Sequence, residues 1–135
     1  MTLVNWSELY RLGIPRIDDD HEHLVALLEG VLNAVAAGDQ AEVVIARLDL
    51  FTAEAVAHFA REDDLLDRAN DPDLAAHRAE HDRLLSHLGH MRLTLQSGVP
   101  ADDDGSRTAT ALRDWLFRHI REDDSAYKSC VLRLV

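Results

Sequence analysis

Four stretches of this sequence carry a stripe of apolar residues at alternating steps of three and four, and every stripe is interrupted by histidine or carboxylate. The first reads Ile17, His21, Leu24, Leu28, Val31, Val35, and the second Val44, Leu48, Phe51, Ala55, His58, Glu62, Leu65, Ala69. The third reads Leu74, His77, His81, Leu84, Leu88, Met91, Leu95, and the fourth Leu112, Leu116, His119, then Asp123 or Asp124, then Tyr127. That spacing marks the inward face of an α-helix. Burying a polar ring without a partner costs a few kcal/mol, and an unpaired carboxylate costs more, so a core does not collect such groups idly. Whatever fold this chain takes has to supply something that compensates them.

Punctuation between the stripes sets the expected helix limits. Gly13 and Pro15 end a leader, residues 1–16, that contains Trp6, and a first helix over 17–37 stops at Gly38. Asp39, with Glu42 three residues on, makes a capping-box pattern for a second helix that runs to residue 69. Asp71 suits the N-cap and Pro72 the first position of a third helix, which runs to residue 97 before Gly98 and Pro100 break it. A polar loop over 101–105 precedes a fourth helix over 106–132. The expectation is one all-α domain spanning 1–135: an N-terminal arm, 1–16, and an up-down-up-down four-helix bundle, 17–132.

In that topology the interrupting residues share one end. His21 is early in the first helix, His58 and Glu62 late in the second, His77 and His81 early in the third, and His119 late in the fourth. At about 1.5 Å rise per residue they lie within roughly two turns of one level. His58 and Glu62, like His77 and His81, are four residues apart and share a helix face. Five histidines and two carboxylates exceed the needs of a single zinc, and suit two ions of a metal that accepts imidazole and carboxylate, such as iron. His23, His87 and His90 fall off the stripe or too far along the third helix and are assigned to the surface. In the run Glu62-Asp63-Asp64 only Glu62 is singled out, the rest reading as solvated face.

Composition narrows the function classes. Fourteen Lys and Arg against 25 Asp and Glu give a formal net charge of -11, which repels phosphate backbones and excludes nucleic acid as a natural partner. The single cysteine, Cys130, permits no internal disulfide. No stretch is apolar enough to form an integral membrane segment, and residues 1–10 lack a basic region followed by an apolar run, so a cytoplasmic protein is expected.

Residue by residue, the pattern resembles the hemerythrin family in its bacterial single-domain form, over almost the whole chain. Trp6-Ser7, Gly13-Ile14 and Ile17-Asp18 leading into His21 resemble the family's N-terminal arm. His58-Phe59 with Glu62, His77 with Glu80-His81, and Trp115-Leu116 with His119-Ile120, Asp124 and Tyr127 resemble its motifs on helices two, three and four. The resemblance implies a non-heme di-iron centre with an oxo or hydroxo bridge, in which His77, His81 and His119 hold one iron and His21 and His58 the other. Glu62 and Asp124 would bridge. Helical periodicity alone favours Asp123 over Asp124, and the family motif decides for Asp124. Leu24, Phe59, Trp115, Leu116 and Ile120 match positions lining an apolar pocket for dioxygen. Asp20 stands where a glutamine is common in the family, and Leu84 where a phenylalanine is common.

The implied function is reversible dioxygen binding rather than enzymatic turnover, in a carrier, store or sensor, or in delivery to a protein that receives the oxygen. The alternative is a di-iron oxidase, peroxidase or nitric-oxide-handling enzyme on the same scaffold. A metal phosphohydrolase suggested by His81-Asp82 fares worse, because Asp82 lies about 100° around the helix from His81. Ferritin-like oxidases carry two Glu-x-x-His motifs, which this chain lacks. A metal-free signalling bundle leaves the polar stripe unexplained. A sensor would need a separate signalling partner, since the chain leaves no room for an attached domain. His77→Ala is expected to strip or badly weaken metal binding and His87→Ala to leave it intact, as read by metal content per chain; equal content in the two variants would refute the ligand assignment.

Overall fold

The computed structural model describes residues 13–98 and 106–120. Helices α1 (Pro15–Ala36), α2 (Ala41–Arg68), α3 (Leu74–Gln96) and α4 (Ser106–Arg118) form an all-α four-helix bundle, with no strand among the described residues. Helix α2 packs between α1 and α3, and α4 packs on α1. The short α1–α2 and α2–α3 connections make those neighbours antiparallel, as expected for up-down-up-down order. Most of the N-terminal arm, including Trp6, lies outside the described residues. So do Asp123, Asp124, Tyr127 and Cys130.

Helix ends depart from the sequence expectation in an instructive way. Helix α1 begins at Pro15, two residues before the expected boundary, with Ile14 in extended conformation ahead of it. Proline is at home in a first turn, where its missing N–H has no carbonyl to serve. The Asp18 carboxylate, buried in that turn, accepts the Gly13 N–H at 3.1 Å and fixes how the chain enters. At the other end Gly38 takes φ 69°, its N–H returns to Val35 and that of Asp39 to Ala34, the paired bonds of a Schellman closure. Asp39 therefore finishes α1 and does not cap α2. The N-cap of α2 is Gln40, without a side-chain cap bond.

The same correction applies at the next turn. Asn70 adopts φ 55° and the Asp71 N–H bonds back to Leu66, so Asp71 belongs to the closure of α2. Its side chain then accepts the Asp73 N–H at 2.8 Å, and α3 starts one residue later, with Pro72 left in the turn. In both turns the helix that is ending claims the residue that sequence assigned to the helix that is starting.

The core has two apolar parts. The larger runs from Leu24 on α1 through Val44, Leu48 and Phe51 on α2, Leu84 to Leu95 on α3, and Leu112 and Leu116 on α4. The smaller, at the other end of α1, consists of Ile14, Ile17 and Leu66, flanked by Leu65, Ala69 and Leu74. Leu66 is the buried residue there, and Leu65, expected on the inward stripe, is only partly covered. Between the two parts, α1 contributes His21, α2 contributes His58 and Glu62, and α3 contributes His77 and His81, all buried. The polar layer is closed off by hydrocarbon above and below.

Two glycines test this account of the backbone. A methyl group at Gly38 or Gly89 would meet nothing within 4 Å, so only conformation distinguishes them. Gly38→Ala should destabilise the fold by about 1 kcal/mol, because an L side chain is strained at positive φ. Gly89→Ala, on an exposed face inside α3, should stabilise it by about 0.5–1 kcal/mol. Urea unfolding of the two variants reads both signs.

Candidate metal centre

Each helix presents its part of the polar layer by spacing alone. Glu62 follows His58 by one helical turn on α2, His81 follows His77 by one turn on α3, and His21 faces them from α1. His119, also buried, lies with Ile120 in a π-helical turn directly after α4. The structure thus brings together six of the seven residues expected at the site, and the seventh, Asp124, is outside the described residues.

Their geometry is organised by one carboxylate. Oε2 of Glu62 lies 2.6 Å from Nε2 of His58 and 3.4 Å from Nε2 of His21. Oε1 faces the opposite pair, at 3.1 Å from Nε2 of His81 and 3.7 Å from Nε2 of His119. Two candidate cation sites result, His21 with His58 and Glu62, and Glu62 with His81 and His119, the ligand atoms of each lying within 4.8 Å of one another. His77 stands on the second side, its ring centroid 6.2 Å from that of His81 and 6.1 Å from that of His119, outside both triads. The Nε2 atoms of His81 and His119 approach to 3.3 Å, so no more than one of them can carry a proton along that line.

Carboxylates hold the outer edges of two rings. Nδ1 of His58 donates to Oδ2 of Asp20 at 2.9 Å, and Nδ1 of His81 lies 3.1 Å from Oδ1 of Asp63. Asp20 is gripped by Arg61, whose Nε donates to Oδ2 at 2.9 Å and whose Nη2 donates to Oδ1 at 2.8 Å, while Nη2 also reaches Glu54 at 3.1 Å. Neither Asp20 nor Asp63 stood among the expected site residues. Asp63, expected on the solvated face, is half-buried against His81, whereas its neighbour Asp64 is exposed. Of the three histidines expected at the surface, His23, His87 and His90, all are exposed.

The charge balance of the layer follows from these contacts. Burial pushes the Glu62 carboxyl up, but the charge of His58 and bonds from His119, His21 and His58 outweigh it and hold the group well below its usual range. Burial likewise opposes ionisation of Asp20, yet the bonds and charges of His58 and Arg61 hold it at about 2. At Asp63 burial wins over the pull of His81 and Arg78, and its carboxyl is pushed up.

These contacts test whether the residues suit a cation. With Nδ1 of His58 donating to Asp20, a neutral ring would point the Nε2 lone pair at an ionised Glu62 oxygen 2.6 Å away. That repulsion is relieved by a second proton on the ring or by a cation shared between the nitrogen and the oxygen. A carboxylate on the outer nitrogen and a metal on the inner one is the usual arrangement of a ligating histidine. The imidazole and carboxylate donors fit a pair of first-row transition-metal ions.

Apolar rings close the site. Phe59 stacks on His81 with centroids 3.9 Å apart and planes 5° from parallel, and Trp115 stacks on His119 at 4.7 Å and 10°. Leu24, Leu116 and Ile120 are buried, and Trp115 is partly so.

A helical bundle with buried imidazoles divided around one carboxylate has the donor set of a protein that could hold cations. The chain belongs to the hemerythrin family: the family model described as the hemerythrin HHE cation binding domain matches residues 12–131. It is 36% identical over 120 residues to a bacteriohemerythrin of Ralstonia nicotianae, covering 89% of this chain and 82% of that one. It is 32% identical over 127 residues to a bacteriohemerythrin of Stenotrophomonas maltophilia, covering 94% and 80%. Myohemerythrin-1 of Phascolopsis gouldii is 28% identical over 91% of this chain and 90% of its own length. A crystal structure of wild-type hemerythrin, 25% identical, superposes with a TM-score of 0.85 over 96% of this chain and 98% of that one.

Asp20 gives the metal-free protein a defined acid limb. Its folded-state value of about 2 is below its ordinary 3.8, so its contribution to stability is present above pH 3.8 and lost as pH falls through about 2. Asp20→Asn should be less stable than the parent at neutral pH and lose less stability between pH 4 and pH 2. Thermal midpoints across that range, with chelator present, check the sign.

Proposed function

We propose that this chain binds dioxygen reversibly at a pair of non-heme irons, as a binding protein and not as an enzyme. The observation that carries this reading is the division of Glu62, one oxygen toward His21 and His58 and the other toward His81 and His119. A single buried carboxylate facing two sets of imidazoles fits two cations better than one. Membership in the hemerythrin family supports iron as the metal.

In this reading His77, His81 and His119 would hold one iron, His21 and His58 the other, and Glu62 and Asp124 would be shared between them alongside an oxo or hydroxo group. The iron pair supplies the electrons that dioxygen binding draws on and returns. Asp124 is preferred to Asp123 on the family motif alone, which runs from Trp115-Leu116 through His119-Ile120 to Asp124 and Tyr127. Two histidines on one side against three on the other leave the His21/His58 side one protein ligand short, which suits it to an exogenous ligand. Leu24, Phe59, Trp115, Leu116 and Ile120 would wall the site with hydrocarbon and exclude water, which would slow irreversible oxidation of the irons. Asp20 orients the His58 ring through its Nδ1 atom, and Asp63 faces the outer edge of the His81 ring at 3.1 Å. No described helix is long and apolar enough to cross a membrane. Carriage, storage, sensing and delivery to a receiving protein all use this same binding step.

Iron content and the visible spectrum of anaerobically reduced protein, then exposed to air and purged with inert gas, test the reading. Two irons per chain with a band that appears with oxygen and disappears on purging are expected. Iron without a reversible band would favour oxidase, peroxidase or nitric-oxide chemistry, and one zinc with no band would overturn the di-iron reading. Glu62→Ala should lower both irons together, by about 10-fold or more in affinity.

A further inference from the structure

We propose that Asp20 and Arg61 act as a charge clamp on His58, setting how strongly the His21/His58 side of the centre holds its metal in the oxidised state. This rests on the di-iron reading given above. Asp20 sits on α1 immediately before His21, and Arg61 on α2 immediately before Glu62, so both belong to the rigid elements that carry the ligands. One oxygen of Asp20 takes the His58 Nδ1–H at 2.9 Å and the Arg61 Nε–H at 2.9 Å, and the other takes Nη2–H at 2.8 Å. The two-pronged guanidinium fixes the plane of the carboxylate, and the carboxylate fixes the ring. Arg61 is itself anchored by Glu54 at 3.1 Å, which His23 approaches at 3.7 Å from the solvent side.

The two sides of the centre differ in this respect. On the far side His81 meets Asp63 at 3.1 Å, and the nearest cation to that carboxylate is Arg78 at 3.9 Å, more than half exposed and not forked onto it. Asp20 is 13% exposed and carries two guanidinium bonds. A full negative charge on Nδ1–H makes Nε2 a stronger donor and favours the more highly charged metal ion. The Arg61 charge offsets part of that effect. Asp20 supplies the push and Arg61 limits it, so removing each should move the metal's potential in opposite directions.

Both residues act through His58 and are positioning residues. Asp20→Asn keeps an acceptor for Nδ1–H in nearly the same volume while removing the charge and the bond from Arg61 Nη2. In the iron-loaded full chain it should retain two irons and raise the midpoint potential of the reduction. An effect of about tenfold in the ratio of affinities for oxidised and reduced metal corresponds to about 59 mV for one electron. Arg61→Gln should retain iron and lower the potential. Asp20→Ala should in addition weaken metal binding, by about 10-fold to 100-fold. Redox titration of the parent and the three variants, with iron counted in each, decides the matter. Opposite shifts for Asp20→Asn and Arg61→Gln support the clamp, and any other pattern in protein that holds two irons overturns it while leaving the di-iron reading intact. Failure of the parent chain itself to take up iron overturns both.

Discussion

A single buried carboxylate, Glu62, is the group around which this structure is arranged. It is fully enclosed, and four imidazole nitrogens lie between 2.6 and 3.7 Å from its two oxygens. An ionised carboxylate in such a place is tolerated only when positive charge surrounds it. Each of the three neighbouring elements answers that demand with a histidine at the same level, and α2 adds a fourth, His58, one turn before Glu62 itself. The demand can be met with protons on the rings or with cations between rings and carboxylate. The division of the imidazoles into two sets, one for each oxygen, is what makes a pair of cations the better answer.

The rest of the bundle serves to keep that layer dry and rigid. Ile14, Ile17 and Leu66 cover one side of it, and the long core from Leu24 covers the other. Phe59 and Trp115 lie flat on His81 and His119, excluding water from the ring faces and restraining their tilt. Water exclusion raises the strength of every charge interaction inside, for good or ill. It stabilises a fully compensated site, and it makes the loss of any one ligand costly.

Around the buried histidine layer lies an outer set of charges with a different character. Asp20, Arg61 and Glu54 form a chain from the buried ring of His58 to the surface, and Asp63 with Arg78 forms a looser one behind His81. These residues are partly exposed, so their charges cost less to hold than that of Glu62. Asp20 nevertheless holds the proton of His58 on Nδ1. The two sides of the layer therefore differ in the charges that stand behind them.

The helical stripes and the ligand-type residues interrupting them were legible from spacing, because a helix buries one face and periodicity reports that face directly. His21, His58, Glu62, His77, His81 and His119 all lie on the stripes. The helix ends were less legible. Asp39 and Asp71 have the chemistry of N-caps, but Schellman closures behind Gly38 and Asn70 claim their backbone first, a competition between neighbouring turns that local sequence does not rank. Asp20 was legible only as a departure from the family pattern, and Asp63 not at all. They sit one residue off the buried stripe, where an acidic side chain normally meets water, and only the approach of another helix turns them toward His58 and His81. Sequence by itself determined which side chains face inward and at what level, since both follow from repeats along a single helix. Which ring meets which carboxylate oxygen, and which acid stands behind each ring, was decided by the distance and rotation between helices far apart in the chain, and no repeat along one helix encodes that.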